Sequence, residues 1–115
     1  CLQEVHGGRI DGAAWCPHSH RIIESVHDKG PSAGGVALLL RRQLFTVIKS
    51  RTLYPGRLVC AHVRHRELGH MHIFNLHFER DRDADEDCRP HIMAVLRETL
   101  SACGDSLCVV AGDFN

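Results

Sequence analysis

The chain has 115 residues, and its 43% hydrophobic content is enough to bury one modest core within a single domain. Lysine plus arginine number 14, as do aspartate plus glutamate, so the formal net charge is zero and no bulk positive field binds nucleic acid unselectively. The longest apolar run, residues 36–40, is far shorter than the roughly 18 residues of a membrane-spanning helix. We therefore expect no membrane span, and any surface that binds polyanions must be a local patch.

The first half of the chain predicts strands. Residues 1–5 have the pattern of the end of a buried strand, and residues 21–26 that of a short strand. Residues 35–41 form the clearest strand of the chain, after a loop rich in glycine, proline and serine. Residues 44–49 follow so closely that we expect them to pair with residues 35–41 as a hairpin.

Two central segments, residues 57–65 and 71–78, alternate with the period of two that defines a half-buried strand. The first places three apolar residues on one face: Val59, Ala61 and Val63. The second places Phe74, Leu76 and Phe78 on one face and Ile73, Asn75 and His77 on the other. His77 is therefore expected on the face opposite an apolar surface.

A helix and a last strand complete the predicted elements. Pro90 suits the first turn of a helix with apolar residues at helical spacing, and Gly104 ends it. The helix returns the chain to an apolar strand at residues 107–111. This order predicts half of an α/β (α+β) sandwich, with residues 1–115 in one domain.

Polar residues stand where the predicted strands end. Glu4 ends the first strand, His77 ends the strand 71–78, and Asp113 and Asn115 follow the last strand after Gly112. A carboxylate can anchor hydrated Mg²⁺, and a second one can orient or deprotonate a water molecule. An amide can bond a phosphate oxygen without adding repulsive charge, and histidine can donate a proton near neutral pH. In isolation, Glu4 would be better interpreted as a solvated carboxylate at a strand end, and Asp113 and Asn115 as parts of an Asx-type turn.

Five segments together resemble the endonuclease/exonuclease/phosphatase superfamily, which includes pancreatic deoxyribonuclease, abasic-site endonucleases and the endonuclease domains of LINE-type retroelements. They occur in the family order along nearly all of the chain. They are Leu2-Gln3-Glu4, residues 33–39, Pro55-Gly56-Arg57, Asn75-Leu76-His77 and Gly112-Asp113-Phe114-Asn115. The resemblance implies a partial DNase I-like two-sheet α/β sandwich.

The resemblance also implies roles for the polar residues. The matching Glu4 is a ligand of Mg²⁺, with Mn²⁺ as an alternative, and Asp113, Asn115 and His77 form the catalytic set. Deoxyribonuclease-like and sphingomyelinase-like members have a histidine at the position of His77, whereas abasic-site and many LINE enzymes usually have tyrosine. The reaction implied is hydrolysis of a phosphodiester by in-line attack of water.

Two further residues are candidates for substrate binding. Arg57 is expected either to hold phosphate or to stabilise a loop, and Asn75 shares the face of His77. A basic patch near a strand pair could contact a nucleic-acid backbone. Its members are Arg41, Arg42, Lys49 and Arg51.

Two other patterns favour simpler interpretations. The pairs His18-x-His20 and His70-x-His72 could each give two zinc ligands, but no pair of Cys or His at suitable spacing completes a site. The six cysteines lack Cys-x-x-Cys spacing and most fall in apolar patterns, which favours buried thiols in a reducing, intracellular setting that includes the nucleus.

The function that these features predict is part of a magnesium-dependent DNA endonuclease of retroelement type. Its partner is the DNA phosphate backbone, and a reverse transcriptase domain in the same polypeptide is an open option. Two alternatives remain: another phosphoesterase of the superfamily (phosphoinositide phosphatase, sphingomyelinase or deadenylase), or a non-catalytic remnant of the fold.

The resemblance implies further catalytic residues outside this segment: an Asn before Glu4, and an Asp plus an Asp-His pair after Asn115. We therefore expect the 115 residues to be an N-terminal part of the family domain and inactive alone. If the chain supplies half of a sandwich, its apolar face, including Val36, Leu38, Val59 and Leu76, is expected to lack a covering sheet.

Overall fold

The computed structural model describes residues 1–5, 18–27, 34–78 and 87–114. Within these ranges the chain is mainly β, with one helix. Its elements are β1 (Leu2–Gln3), β2 (His20–Val26), β3 (Gly35–Arg41), β4 (Phe45–Tyr54), β5 (Leu58–His65), β6 (Gly69–His77), α1 (Arg89–Ala102) and β7 (Leu107–Asp113).

The strands form two sheets. The three-stranded sheet has the order β1-β3-β2 and is antiparallel throughout. The four-stranded sheet has the order β4-β5-β6-β7, with β6 and β7 parallel and the other pairs antiparallel. Because a parallel pair needs a crossover connection, α1 lies between β6 and β7 in the chain. The result is an α+β architecture with one mixed sheet.

The predicted elements are largely confirmed, but the predicted pairing of residues 44–49 with residues 35–41 is wrong. Both edges of β3 are already occupied, by β1 and β2, so β4 pairs with β5 instead. The turn between β4 and β5 favours this pairing. Pro55 and Gly56 occupy its two central positions, Gly56 has φ 67°, and the Arg57 N–H donates to the Tyr54 carbonyl at 3.1 Å. Proline followed by a residue with positive φ is the signature of a type II turn.

The two sheets pack face to face around the main core, so the expectation that the apolar face lacks a covering sheet is wrong. The buried residues between the sheets are Ile23, Val36, Leu38, Leu40, Val59, Ala61, Val63, Met71 and Ile73. Val36, Leu38 and Val59 are each at most 1% exposed. Leu76 lies on the opposite face of the four-stranded sheet, as the alternation of residues 71–78 requires.

Helix α1 covers that opposite face and forms a second core. Ile92 and Leu96 of α1 are buried against the sheet. Their partners are Leu58, Cys60, Phe74, Leu76 and Phe78. The five cysteines of the described residues, Cys1, Cys60, Cys88, Cys103 and Cys108, are all free thiols.

None of the helical structure in the described ranges is long and apolar enough to cross a membrane.

Gly112 sets how closely β7 approaches β6. It has φ 145°, a conformation that side-chain-bearing residues rarely adopt. A Cβ atom at this position would overlap the carbonyl oxygen of Leu76 in the neighbouring strand. The last residues of β7 can therefore stay in register with β6 only if position 112 is glycine.

We expect Gly112→Ala to lower the free energy of unfolding by more than about 2 kcal/mol, because it adds a backbone clash to an unfavourable φ. The matched control is Gly69→Ala. Gly69 also has positive φ, 75°, but a Cβ there meets nothing within 4 Å, so only the conformational cost of about 1 kcal/mol applies. Chemical denaturation of both variants checks this, and equal losses would contradict the close-approach argument.

Candidate functional site

Four segments bring polar side chains to one edge of the molecule. In the parallel pair β6–β7, His77 is in register with Asp113 at the carboxyl ends of both strands. Because β5 runs antiparallel to β6, its beginning lies at the same edge, and the His77 N–H donates to the Arg57 carbonyl at 2.9 Å. Glu4, which follows β1, lies 4.0 Å from the His77 ring, measured from Oε1 to Nε2. We call Glu4, Arg57, His77 and Asp113 the edge site.

Arg57 and Glu4 lie on opposite sides of the His77 ring. Arg57 Nη1 is 3.5 Å from His77 Nδ1, at the long limit of a hydrogen bond. A guanidinium group can only donate, so Nδ1 must accept and the ring proton of neutral His77 is on Nε2, facing Glu4. The arrangement therefore favours the Nε2–H tautomer of a neutral ring, which directs an N–H group toward the exposed carboxylate.

The members of the edge site differ sharply in exposure. Arg57 is 4% and His77 2% exposed, whereas the Glu4 side chain is 68% exposed. Asp113 is half-buried, and its backbone carbonyl accepts the N–H of Phe78 at 2.9 Å. A buried cation and a buried imidazole thus stand behind a carboxylate that is open to water.

Glu4 has an unusual backbone conformation. Its φ of 52° lies in the left-handed region, where a residue with a side chain costs roughly 1–2 kcal/mol. The chain returns to pairing one residue later, where the Val5 N–H donates to the Gly35 carbonyl at 3.1 Å. Glu4 is therefore held between two points at which β1 and the following residue bond to β3.

Asn75 ties the two sheets together directly beside the edge site. Its amide nitrogen donates to the carbonyl of Leu2 at 2.8 Å and to that of Ala37 at 2.9 Å. Its oxygen accepts from Gln3 Nε2 at 2.8 Å. Asn75 is 0% exposed, so these bonds connect the carboxyl-terminal part of β6 to β1 and β3 inside the protein. The prediction that Asn75 binds substrate stays a prediction; its visible role is to hold β1, and hence Glu4, in place.

The other predicted site residues have different outcomes. Asn115 lies outside the described residues. Among the residues that the structure describes, no group of three or more His, Cys, Asp or Glu side chains could hold a metal ion. The two histidine pairs proposed as zinc ligands are therefore incomplete within those ranges. A hydrated Mg²⁺ makes a smaller demand, since one or two carboxylates and several waters suffice.

Sequence reasoning found the members of the edge site but missed how they are held. The Asn75 tie joins residues more than 70 positions apart in the chain, and no local pattern marks it. The burial of Arg57 was also not foreseen, because a charged residue after a Pro-Gly turn is ordinarily exposed.

Comparison with protein-family models finds no match, and comparison with curated proteins finds no significant match.

We expect Asn75→Leu to lower the free energy of unfolding by about 2–4 kcal/mol, because it leaves two buried carbonyls and the Gln3 amide without their partner. It should also remove hydrogen-exchange protection from the Val5 amide. Gln3→Leu is the control, since it deletes only one of the three bonds and should cost about 1 kcal/mol or less. Similar losses in the two variants would contradict the role of Asn75 as the tie.

Proposed function

We propose that this chain forms part of the catalytic centre of a magnesium-dependent phosphodiesterase, and that its substrate is DNA, cut by in-line attack of water. The observation that supports this is the convergence of Glu4, Arg57, His77 and Asp113 from four separate segments at one edge. These are residues to which the family resemblance assigns metal binding, phosphate contact and activation of water.

Glu4 is the residue proposed to hold the metal ion. Its carboxylate is exposed, which leaves room for the waters that Mg²⁺ retains, and carboxylate oxygen is the donor that this ion prefers. When bound, Mg²⁺ would neutralise charge on the phosphate oxygens. Mn²⁺, which also accepts oxygen ligands, is the alternative.

His77 and Asp113 are proposed to act on the phosphate and the water. The Nε2–H of His77 faces the open side of the edge site and can donate to a non-bridging phosphate oxygen. Asp113, in register beside it, can orient the attacking water and accept its proton. Asn115 remains the proposed amide donor to phosphate.

For Arg57, its position relative to the His77 ring favours the stabilising role over direct phosphate binding. Arg57 contacts the ring at Nδ1, whereas Nε2, on the other side of the ring, faces the exposed Glu4 carboxylate. Its contact with Nδ1 instead favours a proton on Nε2 of His77, from which the ring can donate to a phosphate oxygen. Arg57 is therefore proposed as a positioning residue.

A second candidate substrate class follows from the identity of residue 77. Deoxyribonuclease-like and sphingomyelinase-like members of the family have a histidine at this position, whereas LINE endonucleases usually have a tyrosine. A phosphoesterase acting on a lipid or another phosphodiester would use the same edge site with different loops.

The first test is metal binding by the 115-residue protein, measured by titration with Mn²⁺ and detected by water proton relaxation. We expect Glu4→Gln to weaken Mn²⁺ binding at least tenfold, because the charged ligand is lost while side-chain size is kept. Glu98→Gln, on the exposed side of α1, is the matched control and should bind as the wild type does. Equal affinities in all three proteins would reject the metal site. The chain would then be interpreted as a non-catalytic remnant of the fold.

The second test is kinetic and uses a polypeptide that contains residues 1–115 and nicks supercoiled plasmid DNA with Mg²⁺. Asp113→Ala should lower kcat by about 10²- to 10⁴-fold with little change in KM, because the carboxylate acts on water in the transition state. Asp105→Ala, an exposed aspartate in the turn before β7, is the control and should stay within twofold. A loss of tenfold or less for Asp113→Ala would contradict its assignment as the base.

A further inference from the structure

Strand β4 is an edge strand, and a β-bulge controls where its cations point. Val47 pairs with Val63 on the core face, but the pairing then shifts so that Lys49 is opposite His62 and Arg51 opposite Cys60. Ile48 is the extra residue. Without it, the alternation would place Lys49 on the same face as Val47. The bulge therefore turns two positive side chains to the outer face of the four-stranded sheet.

Two grooves adjoin each other along this edge strand. One, of about 480 Å³, lies on the side of the three-stranded sheet and is lined by residues that include Arg21, Arg42 and Lys49. The other, of about 230 Å³, lies on the outer face; its lining is Lys49, Ser50, Arg51, Cys60, His62 and His72. Lys49 and Ser50 line both grooves, so a single extended ligand can pass from one to the other.

The charge of these grooves has one sign. Among the described residues, four cationic side chains line them and no aspartate or glutamate does. Neither Lys49 nor Arg51 has an ion-pair partner in the described part of the chain. Burial, followed by the neighbouring Cys103 thiol, raises the pKa of Cys60 to about 11, so this thiol adds no negative charge at neutral pH. The local positive potential exists in a chain whose formal net charge is zero.

We propose that the two grooves along β4 form a binding channel for the phosphate backbone of a nucleic acid, separate from the edge site. This inference rests on the proposed function in that the nucleic acid is the same DNA that the edge site would cut. A run of exposed cations without carboxylates suits a polyanion with repeated phosphates, and the serine hydroxyl can donate to a phosphate oxygen.

The channel and the edge site lie at opposite ends of β3. Gly35, at one end, accepts the bond from Val5 beside Glu4, and Arg41, at the other end, precedes the Arg42 of the channel. Six steps along a strand span about 20 Å. DNA advances about 3.4 Å per base pair, so a duplex needs about six base pairs to reach both places. Only substrates longer than this can therefore contact the channel and the edge site at the same time.

Histidines make the channel sensitive to pH. The rings of His62 and His72 stack with centroids 4.6 Å apart, and His70 Nδ1 is 3.2 Å from His62 Nε2. Burial, then the neighbouring His62 and Arg51, lowers the pKa of His72, so its ring is neutral at pH 7.

The groups around this ring come from four elements. They are Lys49 and Arg51 from β4, Cys60, His62 and Arg64 from β5, Cys108 from β7 and Cys103 at the end of α1. None of them is a carboxylate. A phosphate bound there favours the protonated ring, so binding is expected to tighten as pH falls from 7.5 to 5.5.

The test measures binding without cleavage, by fluorescence anisotropy of a labelled 20-base-pair duplex in EDTA. Arg51→Ala should weaken binding about tenfold and reduce the slope of log affinity against log salt by about 0.9, the value for one lost phosphate contact. Arg97→Ala, which removes one exposed charge from α1 and lines neither groove, should leave both values unchanged. Arg51→Lys should restore the salt slope. The double variant His62→Gln/His72→Gln should lose the tightening at pH 5.5.

The outcomes separate this inference from the proposed function. If Arg51→Ala and Arg97→Ala bind the duplex equally, the channel is rejected even where Glu4-dependent Mn²⁺ binding is found. If Mn²⁺ binding does not depend on Glu4 but duplex binding depends on Arg51, the binding channel is supported and the proposed phosphodiesterase centre is rejected. Arg51-dependent binding to vesicles containing phosphatidylserine, without duplex binding, would reject a nucleic acid in favour of a lipid surface.

Discussion

The geometry of the edge site depends on one buried amide. Asn75 lies two residues before the end of β6, and its two N–H groups and its oxygen all bond to β1 and β3, so three hydrogen bonds cross the space between the sheets. Apolar packing between the sheets is non-directional and would tolerate sliding of a two-residue strand. The amide is directional, since any shift of β1 would leave buried polar groups without partners. The hydrogen bonds of Asn75 therefore fix the position of β1, and hence of Glu4, which packing alone would not do.

A small number of contacts also positions His77 and Asp113, the other polar groups of the edge site. Burying the Arg57 cation is unfavourable unless polar contacts offset the cost, and the His77 ring provides one such contact. The contact also favours one tautomer: with Nδ1 occupied, the neutral His77 ring can donate only from Nε2. Gly112 contributes from the other side, since its missing Cβ lets β7 lie close enough for Asp113 to stand beside His77. The close approach at Gly112 and the contact of Arg57 with the His77 ring thus position the polar groups in this part of the site.

Local patterns in the sequence were sufficient to predict the strands and the helix, but they did not predict which strands pair with one another. The alternation of residues 71–78 correctly separated Phe74 from Ile73, and Pro90 correctly marked the start of α1. The pairing of β4 failed because a three-residue connection resembles a hairpin, while the strands that fill the edges of β3 come from elsewhere in the chain. The Asn75 tie and the bulge at Ile48 were hidden for the same reason, since each depends on a partner strand.

The separation of charge within a neutral chain has a consequence for how DNA would engage it. At physiological ionic strength the screening length is about 8 Å, so a channel and an edge site about 20 Å apart are electrostatically independent. The edge site contains two carboxylates and one cation, and it repels phosphate unless a divalent ion offsets this excess. Among the described residues, the proposed channel is lined by cations without carboxylates, so it would attract phosphate with or without a divalent ion. DNA would therefore meet the channel first, and the metal would decide whether the bound strand also reaches His77 and Asp113.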